Sequence, residues 1–335
     1  AGLANAILHA EPPPTAAAHH PRRVTHELAQ GRERTLAAAL IAIEAIAKAG
    51  VDLAGDISFG GVVGEIEKTA IEEFQGVEYS GYGIGTRHLV THGVTADFAL
   101  LAEPTGMRIA TANMGVIWMR ITLGGTVAHS ALANRPGVIN AIALMHELQS
   151  DIAQWARNYE SAHEYNGEHP NVTMAAIRGG APWRLSRNPY DCSLYLDVRT
   201  VPGQTVDDVK RDLRAVLRAF GGRKGIAEPT LHLYVTDPPV VLDPKLPIIQ
   251  ALGEAQQAVT GDRPATIIRR PGADAVHLTS YGVPCVCFGP GGRMHPGNRG
   301  ADMHALGEHV LIADCVAAAK IYLALALDLC SRKPA

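Results

Sequence analysis

Carboxylates and imidazoles recur in this sequence at the ends of predicted strands and in loops, where side chains can meet a substrate. Glu65 and Glu67 follow the run DISFGGVV, Glu103 follows ADFALLA, and His304 precedes Glu308 by four residues. Carboxylates and imidazoles bind divalent metal ions, and a positioned carboxylate can also deprotonate water. These residue types therefore suit the metal-assisted hydrolysis of an amide bond.

The composition is that of an ordinary globular protein. The chain has 335 residues, of which 47% are hydrophobic and 19% charged, and its formal net charge is −3. We expect a large core and two domains. No basic cluster predicts a nucleic acid partner, and no apolar run reaches the roughly twenty residues of a membrane span. The N-terminus lacks signal-peptide features, so a cytoplasmic location is expected by default.

Helical and strand patterns alternate along the chain and predict an α/β fold. Thr25–Gly50 carries apolar residues at helical spacing, whereas residues 1–24 show no period and are expected to be irregular. The middle of the chain predicts a strand, a helix, two strands and a helix, which is typical of an α+β sandwich. We place this insert at residues 114–230, so that residues 1–113 and 231–335 form one discontinuous catalytic domain.

Seven motifs follow one another over about residues 35–330. They are LAAALIAIEAIAKAG, LAGDISFGGVVGEIE, AEPTG, GGTVAHSALANRPGVINAI, LYLDVRTVPGQT, RPGADAVHLTSYGVPCVCFGPG and HALGE. In this order they resemble the co-catalytic zinc aminoacylase and peptidase family, which includes acetylornithine deacetylase, succinyl-diaminopimelate desuccinylase, aminoacylase and bacterial glutamate carboxypeptidase. The resemblance implies a zinc-peptidase-like mixed sheet flanked by helices, with an inserted α+β sandwich that forms a dimer.

The resemblance implies roles for the residues that match the family's motifs. Glu103 and His304 match metal ligands, and Glu65 matches the general base that acts on metal-bound water. Isoleucine stands at the position of the family's second glutamate, so Glu67 is the replacement ligand if it points the same way as Glu65. The implied cofactor is one or two divalent metal ions, zinc first, with cobalt or manganese as alternatives.

Other matches imply a substrate site that two subunits share. His129 matches a histidine that reaches into the active site of the partner in a homodimer and stabilises the oxyanion. Asn188 and Arg199 match positions that contact substrate, and Gly291 offers backbone N–H groups to a substrate carboxylate.

Structural alternatives stay open at several of these positions. The structural alternative for Arg199 is an ion pair with Asp197 or Asp207. The alternative for Gly291 is a place in a tight turn. For Glu65 and Glu67, the structural alternative is a position on the polar face of an edge strand. His295 is an alternative to His304 as the histidine ligand.

The resemblance ends abruptly at about Arg34. The family begins with a strand that carries a histidine and an aspartate two residues apart, and a later aspartate bridges two metals. Neither aspartate has a counterpart, because Asp52 is the first aspartate of the chain. We expect a truncated or frame-shifted N-terminal portion that lacks the first strand. The alternative is a set of replacement ligands drawn from His19, His20, His26 and Glu33.

The leading hypothesis is a metal-dependent hydrolase that cleaves the amide bond of an N-acyl amino acid or peptide next to a carboxylate. One alternative is a metal-depleted, non-catalytic relative that acts as a binding or assembly protein. Another is an exopeptidase with a single remaining metal ion. The sequence does not identify the acyl group, the amino acid or the metal.

Overall fold

The computed structural model describes the backbone of residues 5–9, 22–291 and 309–331, and the side chains of residues 35–291 and 309–331. The chain divides into two compact units, Ala1–Asn113 with Val240–Ala335, and Met114–Pro239. No helix among the described residues is long and apolar enough to cross a membrane.

The described strands are β1 (Asn5–His9), β2 (Ser58–Val62), β3 (Ala99–Leu101), β4 (Ile109–Asn113), β5 (Gly115–Gly124), β6 (Asn171–Gly179), β7 (Asp191–Thr200), β8 (Thr230–Asp237), β9 (Val240–Val241), β10 (Thr266–Arg269) and β11 (Cys285–Cys287). The described α-helices are α1 (Arg22–Ala49), α2 (Ile84–Thr91), α3 (Ala141–Ala162), α4 (Val206–Lys224), α5 (Pro247–Thr260), α6 (Ala275–Ser280) and α7 (Ile312–Ser331). The predicted first helix is thus present, although it begins three residues before Thr25.

The first unit is a mixed sheet whose strands lie in the order β10, β4, β11, β3, β1, β2, with β9 paired to β4. β2, β1, β3 and β11 run parallel, whereas β4 pairs antiparallel with β11 and parallel with β10. The chain segments that follow β1, β2 and β3 therefore leave the sheet at one edge. In sheets of this kind, ligands bind beyond the carboxyl ends of the strands.

The central strands of this sheet are buried on both faces. Leu100 and Val286 pack into one cluster with side chains of α1, α5 and α7. Leu101 and Cys285 point to the other face, where they contact apolar side chains of α6. Continuous burial on two faces is typical of parallel strands covered by helices, and it explains why these strands read as unbroken apolar runs.

Two expectations about the first unit were wrong. Residues 1–24 are not wholly irregular and the first strand is not missing, because β1 lies between β3 and β2. The run NAILH is too short to show a period, so only the tertiary pairing reveals it as a strand. The strand predicted over DISFGGVVGEIE ends at Val62, which leaves Glu65 and Glu67 in the following loop.

The second unit is a four-stranded antiparallel sheet in the order β6, β7, β5, β8, with α3 and α4 packed on one face. Leu148, Ile152, Leu194 and Leu213 lie in its core and are fully buried. The sheet extends beyond the predicted end at residue 230, because β8 pairs with β5 along its length. This unit ends instead at Pro239.

Candidate active site

Glu103 lies in a tight turn immediately after β3. Its backbone N–H donates to the Leu101 carbonyl at 2.8 Å, and the residue is buried. The turn is fixed against the segment after β11, because Thr105 Oγ1 and Gly289 N lie 3.1 Å apart. A Cβ atom on Gly289 would come within 2.8 Å of the Glu103 carbonyl, so only glycine allows this close approach.

The carboxylate of Glu103 forms an ion pair with Arg269, the last residue of β10. Arg269 Nη2 donates to Glu103 Oε2 at 2.6 Å, and the two side chains are 6% and 7% exposed. Arg269 Nη1 donates to the Gly272 carbonyl at 2.6 Å, which fixes the guanidinium from its other side. A buried charge-assisted bond of this length is strong and geometrically specific.

Glu65 and Glu67 act on the same guanidinium from the loop after β2. Glu67 Oε1 accepts the backbone N–H of Gly272 at 2.9 Å, while Arg269 donates to the carbonyl of that residue. Burial lowers the pKa of Arg269, but the charge of Glu103, followed by those of Cys287, Glu65 and Glu67, outweighs burial and raises it. Glu103 thus contacts the guanidinium directly, and Glu67 bonds to the residue whose carbonyl Arg269 contacts. Glu65 acts on Arg269 through its charge. We call Glu65, Glu67 and Glu103 the glutamate cluster.

A glycine turn sets the position of Glu65. Gly64 has a φ of +75°, and its carbonyl accepts the N–H of Gly83 at 2.8 Å. The carbonyl of Ile66 accepts the N–H of Tyr82 at 2.9 Å. The backbone on both sides of Glu65 is thereby tied to the segment before α2, and Glu65 itself is 9% exposed. A carboxylate in this setting is held in place and shielded from bulk water.

The side chains of the glutamate cluster do not by themselves form a metal site. In the described part of the chain, no three histidine, cysteine, aspartate or glutamate side chains are arranged to hold a metal ion. A metal ion bound to these carboxylates would need further ligands from outside the described residues. The pairing of Glu103 with Arg269 does not suit a second cation, because the guanidinium already lies at Glu103 Oε2.

The histidine predicted as a metal ligand, His304, falls outside the described residues, and so does its rival His295. Gly291 is described, and it lies beside the Glu103 turn with a φ of +100°. A Cβ atom there would come 3.2 Å from Pro104 Cβ. Gly291 therefore lies next to Pro104 in the turn that carries Glu103, and its contact with a substrate stays a prediction.

His129 lies in the second unit and is exposed. Its Nδ1 accepts the backbone N–H of Ala131 at 3.1 Å, and its backbone pairs with Arg187. Because Nδ1 is an acceptor here, a neutral imidazole carries its proton on Nε2. Nε2–H is then the donor that His129 offers to a bound group.

Asn188 and Arg199 also lie in the second unit, and both side chains hold the unit itself together. Asn188 Nδ2 donates to the carbonyls of Thr126 and Ile139, each at 2.8 Å. Arg199 pairs in a two-pronged fashion with Asp197, with both N–H to O distances at 2.8 Å. For Arg199 this is one of the structural alternatives that the sequence left open.

Two residues escaped the sequence reasoning. Arg269 stands in TIIRRPGADA, and the sequence gives no sign of which arginine is buried or of what it pairs with. His9 is the last residue of β1, and Ile7 lies opposite Leu101 in the register. His9 and Glu103 each lie two residues beyond that pair, so their backbones leave neighbouring strands at one edge. A short apolar run that ends in histidine was the only available signal.

Comparison with known proteins gives a family for the second unit and relatives for the whole chain. Residues 111–224 match the peptidase dimerisation domain of the M20 peptidases. The N-formyl-4-amino-5-aminomethyl-2-methylpyrimidine deformylase of Bacillus subtilis (strain 168) is 25% identical over 324 residues, which are 89% of this chain and 70% of that protein.

Two further proteins share parts of the sequence or the fold. The acetylornithine deacetylase of Pasteurella multocida (strain Pm70) is 28% identical over 148 residues, or 42% of this chain and 38% of that protein. The crystal structure of a tripeptidase from Staphylococcus aureus subsp. aureus Mu50 superposes with a TM-score of 0.71 at 15% identity. That superposition covers 99% of this chain and 81% of the tripeptidase.

Proposed function

We propose that the chain is a hydrolase of amide bonds of the co-catalytic zinc aminoacylase and peptidase family. Its proposed substrate is an N-acyl amino acid or a peptide with a carboxylate next to the scissile bond. The match to the peptidase dimerisation domain and the similarity to two deacylating enzymes support this proposal. The observation that carries this proposal is the gathering of the glutamate cluster around Arg269. Carboxylates from two loops distant in sequence that act on one buried arginine at the ends of strands are typical of a catalytic centre.

We assign the role of general base to Glu65. Its loop is held by backbone hydrogen bonds on both sides, and the residue is buried, so the carboxylate extends from a fixed backbone. It accepts a proton from the water molecule that attacks the amide carbonyl, and it passes that proton to the leaving amine.

A divalent metal ion, zinc in the first place, would be held by Glu103, Glu67 and His304, and it would supply Lewis-acid activation of the carbonyl and of water. Gly291 would offer its backbone N–H to the carboxylate of the substrate.

We propose that the active form is a homodimer, in which His129 of one subunit completes the site of the other and donates Nε2–H to the oxyanion. The backbone around His129 pairs with the segment before Asn188, and exposed apolar side chains flank this pairing. They are Val127, Trp183 and Leu185, which are 66%, 79% and 81% exposed. Their burial against a second copy would place the exposed imidazole in an interface.

Metal analysis and hydrolysis assays on the purified full chain test the proposal. We expect bound zinc after growth with zinc, and release of the free amine from N-acetyl or N-formyl amino acids or from dipeptides. Activity should fall on dialysis against a chelator and return with added metal. A chain that holds metal but hydrolyses none of these compounds would contradict the assigned substrate class.

The second candidate function is a non-catalytic binding or assembly protein that lacks metal. The ion pair between Glu103 and Arg269 favours this candidate, because an internal cation already neutralises one of the proposed metal ligands. Less than about 0.1 equivalent of bound metal, together with no hydrolysis, would support this candidate.

We also expect the chain to act in the cytoplasm.

A further inference from the structure

The segment at the start of α2 is bound to the loop that carries Glu65. The backbone N–H groups of residues 82–85 all donate to carbonyls of residues 63–66, at nitrogen-to-oxygen distances of 2.9, 2.8, 3.3 and 3.1 Å in chain order. We call residues 82–85 the amide clasp. The first N–H groups of a helix have no acceptor within that helix, and here the loop carbonyls accept those of Ile84 and Gly85. The loop is therefore held on both sides of Glu65.

The amide clasp contains two consecutive residues with left-handed backbone. Tyr82 has a φ of +59° and Gly83 a φ of +67°. Glycine adopts this conformation readily, but for tyrosine it costs free energy. Such a conformation persists only where the surrounding structure holds it. The shape of the clasp therefore depends on the groups packed against it.

Helix α6 packs against the amide clasp. Asp274, at the start of α6, accepts a short hydrogen bond from Thr86 Oγ1, and both residues are buried. The carbonyl of Tyr82 accepts a hydrogen bond from His277 Nε2 at 3.1 Å. A Cβ atom on Gly83 would lie 2.5 Å from Asp274 Oδ1 and 2.5 Å from His277 Nε2. The two side chains of α6 thus hold both ends of the clasp and leave no room for a side chain between them.

We propose that Asp274 and His277 are positioning residues for Glu65, which they hold through the amide clasp. Every step of this connection is a hydrogen bond between described residues, from α6 to the clasp and from the clasp to the loop carbonyls. A displacement of about 1 Å at a reacting group can lower a rate by about 100-fold. The inference rests on the proposed function, in which Glu65 is the general base, and names the residues that fix its position.

A pair of threonine variants tests the connection by a measurement that does not depend on activity. Thr86→Val keeps the shape of the side chain and removes the hydroxyl that donates to Asp274. Hydrogen exchange at residues 82–85 is followed by mass spectrometry on the full chain. We expect exchange at least about tenfold faster than in the wild type, and largely restored protection in Thr86→Ser. Thr91→Val is the matched control on α2, because its hydroxyl donates to the Arg87 carbonyl within the helix.

A pair of glycine variants separates the contact with α6 from backbone strain. Gly83 and Gly93 both have positive φ, +67° and +87°, so alanine is strained at either position. The added Cβ atom meets Asp274 and His277 only at Gly83, since it would have no atom within 4 Å at Gly93. We expect faster exchange at residues 82–85 in Gly83→Ala and wild-type exchange in Gly93→Ala. This pair decides the question if Thr86→Val does not fold.

Kinetics on the N-acetyl or N-formyl amino acid that the wild type hydrolyses fastest test the positioning role. We expect kcat to fall by about 10–100-fold in Thr86→Val and Gly83→Ala, while KM stays within about twofold of the wild type. Thr86→Ser should recover most of the loss, and Thr91→Val and Gly93→Ala should retain wild-type rates. Wild-type kcat despite faster exchange, or a change confined to KM, would overturn the positioning role.

The two measurements separate this inference from the proposed function. A wild type that hydrolyses none of the compounds contradicts the proposed function, while hydrogen exchange still decides whether α6 holds the loop of Glu65. Unchanged exchange in both Thr86→Val and Gly83→Ala would overturn the inference and leave an active hydrolase in place.

Discussion

Arg269 and Glu103 are 166 residues apart in sequence, yet Arg269 Nη2 lies 2.6 Å from Glu103 Oε2 in a site that is closed to solvent. Removal of one partner of such a pair leaves an uncompensated buried charge. We expect Arg269→Met to lower the free energy of unfolding by about 3–5 kcal/mol, measured by urea denaturation of the metal-free protein.

A double-mutant cycle tests whether this loss comes from the pair itself. Arg269→Met with Glu103→Gln removes both charges and should regain part of the stability that the single variant loses. Lys48→Met is the matched control, because it breaks the exposed pair with Glu44 and should cost less than about 0.5 kcal/mol. Additive single effects in the cycle would show that the two side chains do not stabilise one another.

Glu65→Gln tests the proposed general base. The change removes the proton acceptor and keeps the shape of the side chain, so we expect the rate of hydrolysis to fall by about 10²–10⁴-fold. Bound metal, measured by mass spectrometry, should stay at the wild-type level. Glu78→Gln, at an exposed glutamate near the same loop, is the control and should retain full activity. Full activity of Glu65→Gln would refute the assignment of the base.

Mixing two inactive variants tests whether His129 acts across the dimer. We expect Glu65→Gln and His129→Ala each to be nearly inactive as homodimers. After the subunits are exchanged, half of the dimers are mixed, and each mixed dimer has one site with both wild-type residues. Activity should therefore recover to about a quarter of the wild-type value, as symmetry of a two-subunit assembly requires. No recovery despite proven subunit exchange would place His129 in its own subunit's site, or outside catalysis.

Asn188→Ala tests whether this residue acts on the fold or on the substrate. The change leaves the buried carbonyls of Thr126 and Ile139 without their donor, so we expect a loss of about 1–3 kcal/mol of stability. The Michaelis constant, measured well below the unfolding temperature, should stay unchanged. Asn158→Ala, at an exposed position, is the control for stability. A raised Michaelis constant with unchanged stability would instead favour the substrate contact that the resemblance implied.

His277 predicts a loss of stability in mild acid. Burial, followed by the nearby charge of Arg87, lowers the pKa of His277 to about 4 from an ordinary value of 6.5. The unfolded chain therefore binds a proton more readily than the folded chain between these values. This contribution to stability is complete above pH 6.5 and is lost as the pH falls towards 4, by up to about 3 kcal/mol.

The measurement compares urea denaturation at pH 5 and pH 7.5 for the wild type and His277→Gln. We expect the variant to lose less stability than the wild type on acidification, because its side chain does not titrate. His146→Gln, at an exposed histidine, should follow the wild type. If His277→Gln also follows the wild type, the acid sensitivity arises from other groups.

The sequence revealed those parts of the molecule that depend on local patterns. The helix ending at Ala49, the buried strands β3 and β11, and the sandwich-like second unit all have periods or apolar runs of sufficient length. β1 was missed because five residues are too few for a period, and its pairing with β2 and β3 is tertiary information.

For the candidate site, residue types could be predicted but their partners could not. Motif order pointed to Glu65 and Glu103, and the structure pairs Glu103 with Arg269, whose pKa the charge of Glu65 also raises. The arginine itself could not be found, because its partner is 166 residues away and neither residue's burial is visible in the sequence. For Arg199, the sequence left Asp197 and Asp207 as possible ion-pair partners, since both lie close to it along the chain.

The pairing of α1 with α7 and of β1 with β3 has a consequence for synthesis on the ribosome. Helix α1 can pack against α7 only when residues 312–331 have emerged from the ribosome, whereas all of the second unit is made earlier. We therefore expect the inserted unit to acquire its structure first, while the two halves of the surrounding unit wait on either side of it. Nascent chains arrested before residue 312 should contain a protease-resistant insert between cleavable flanks.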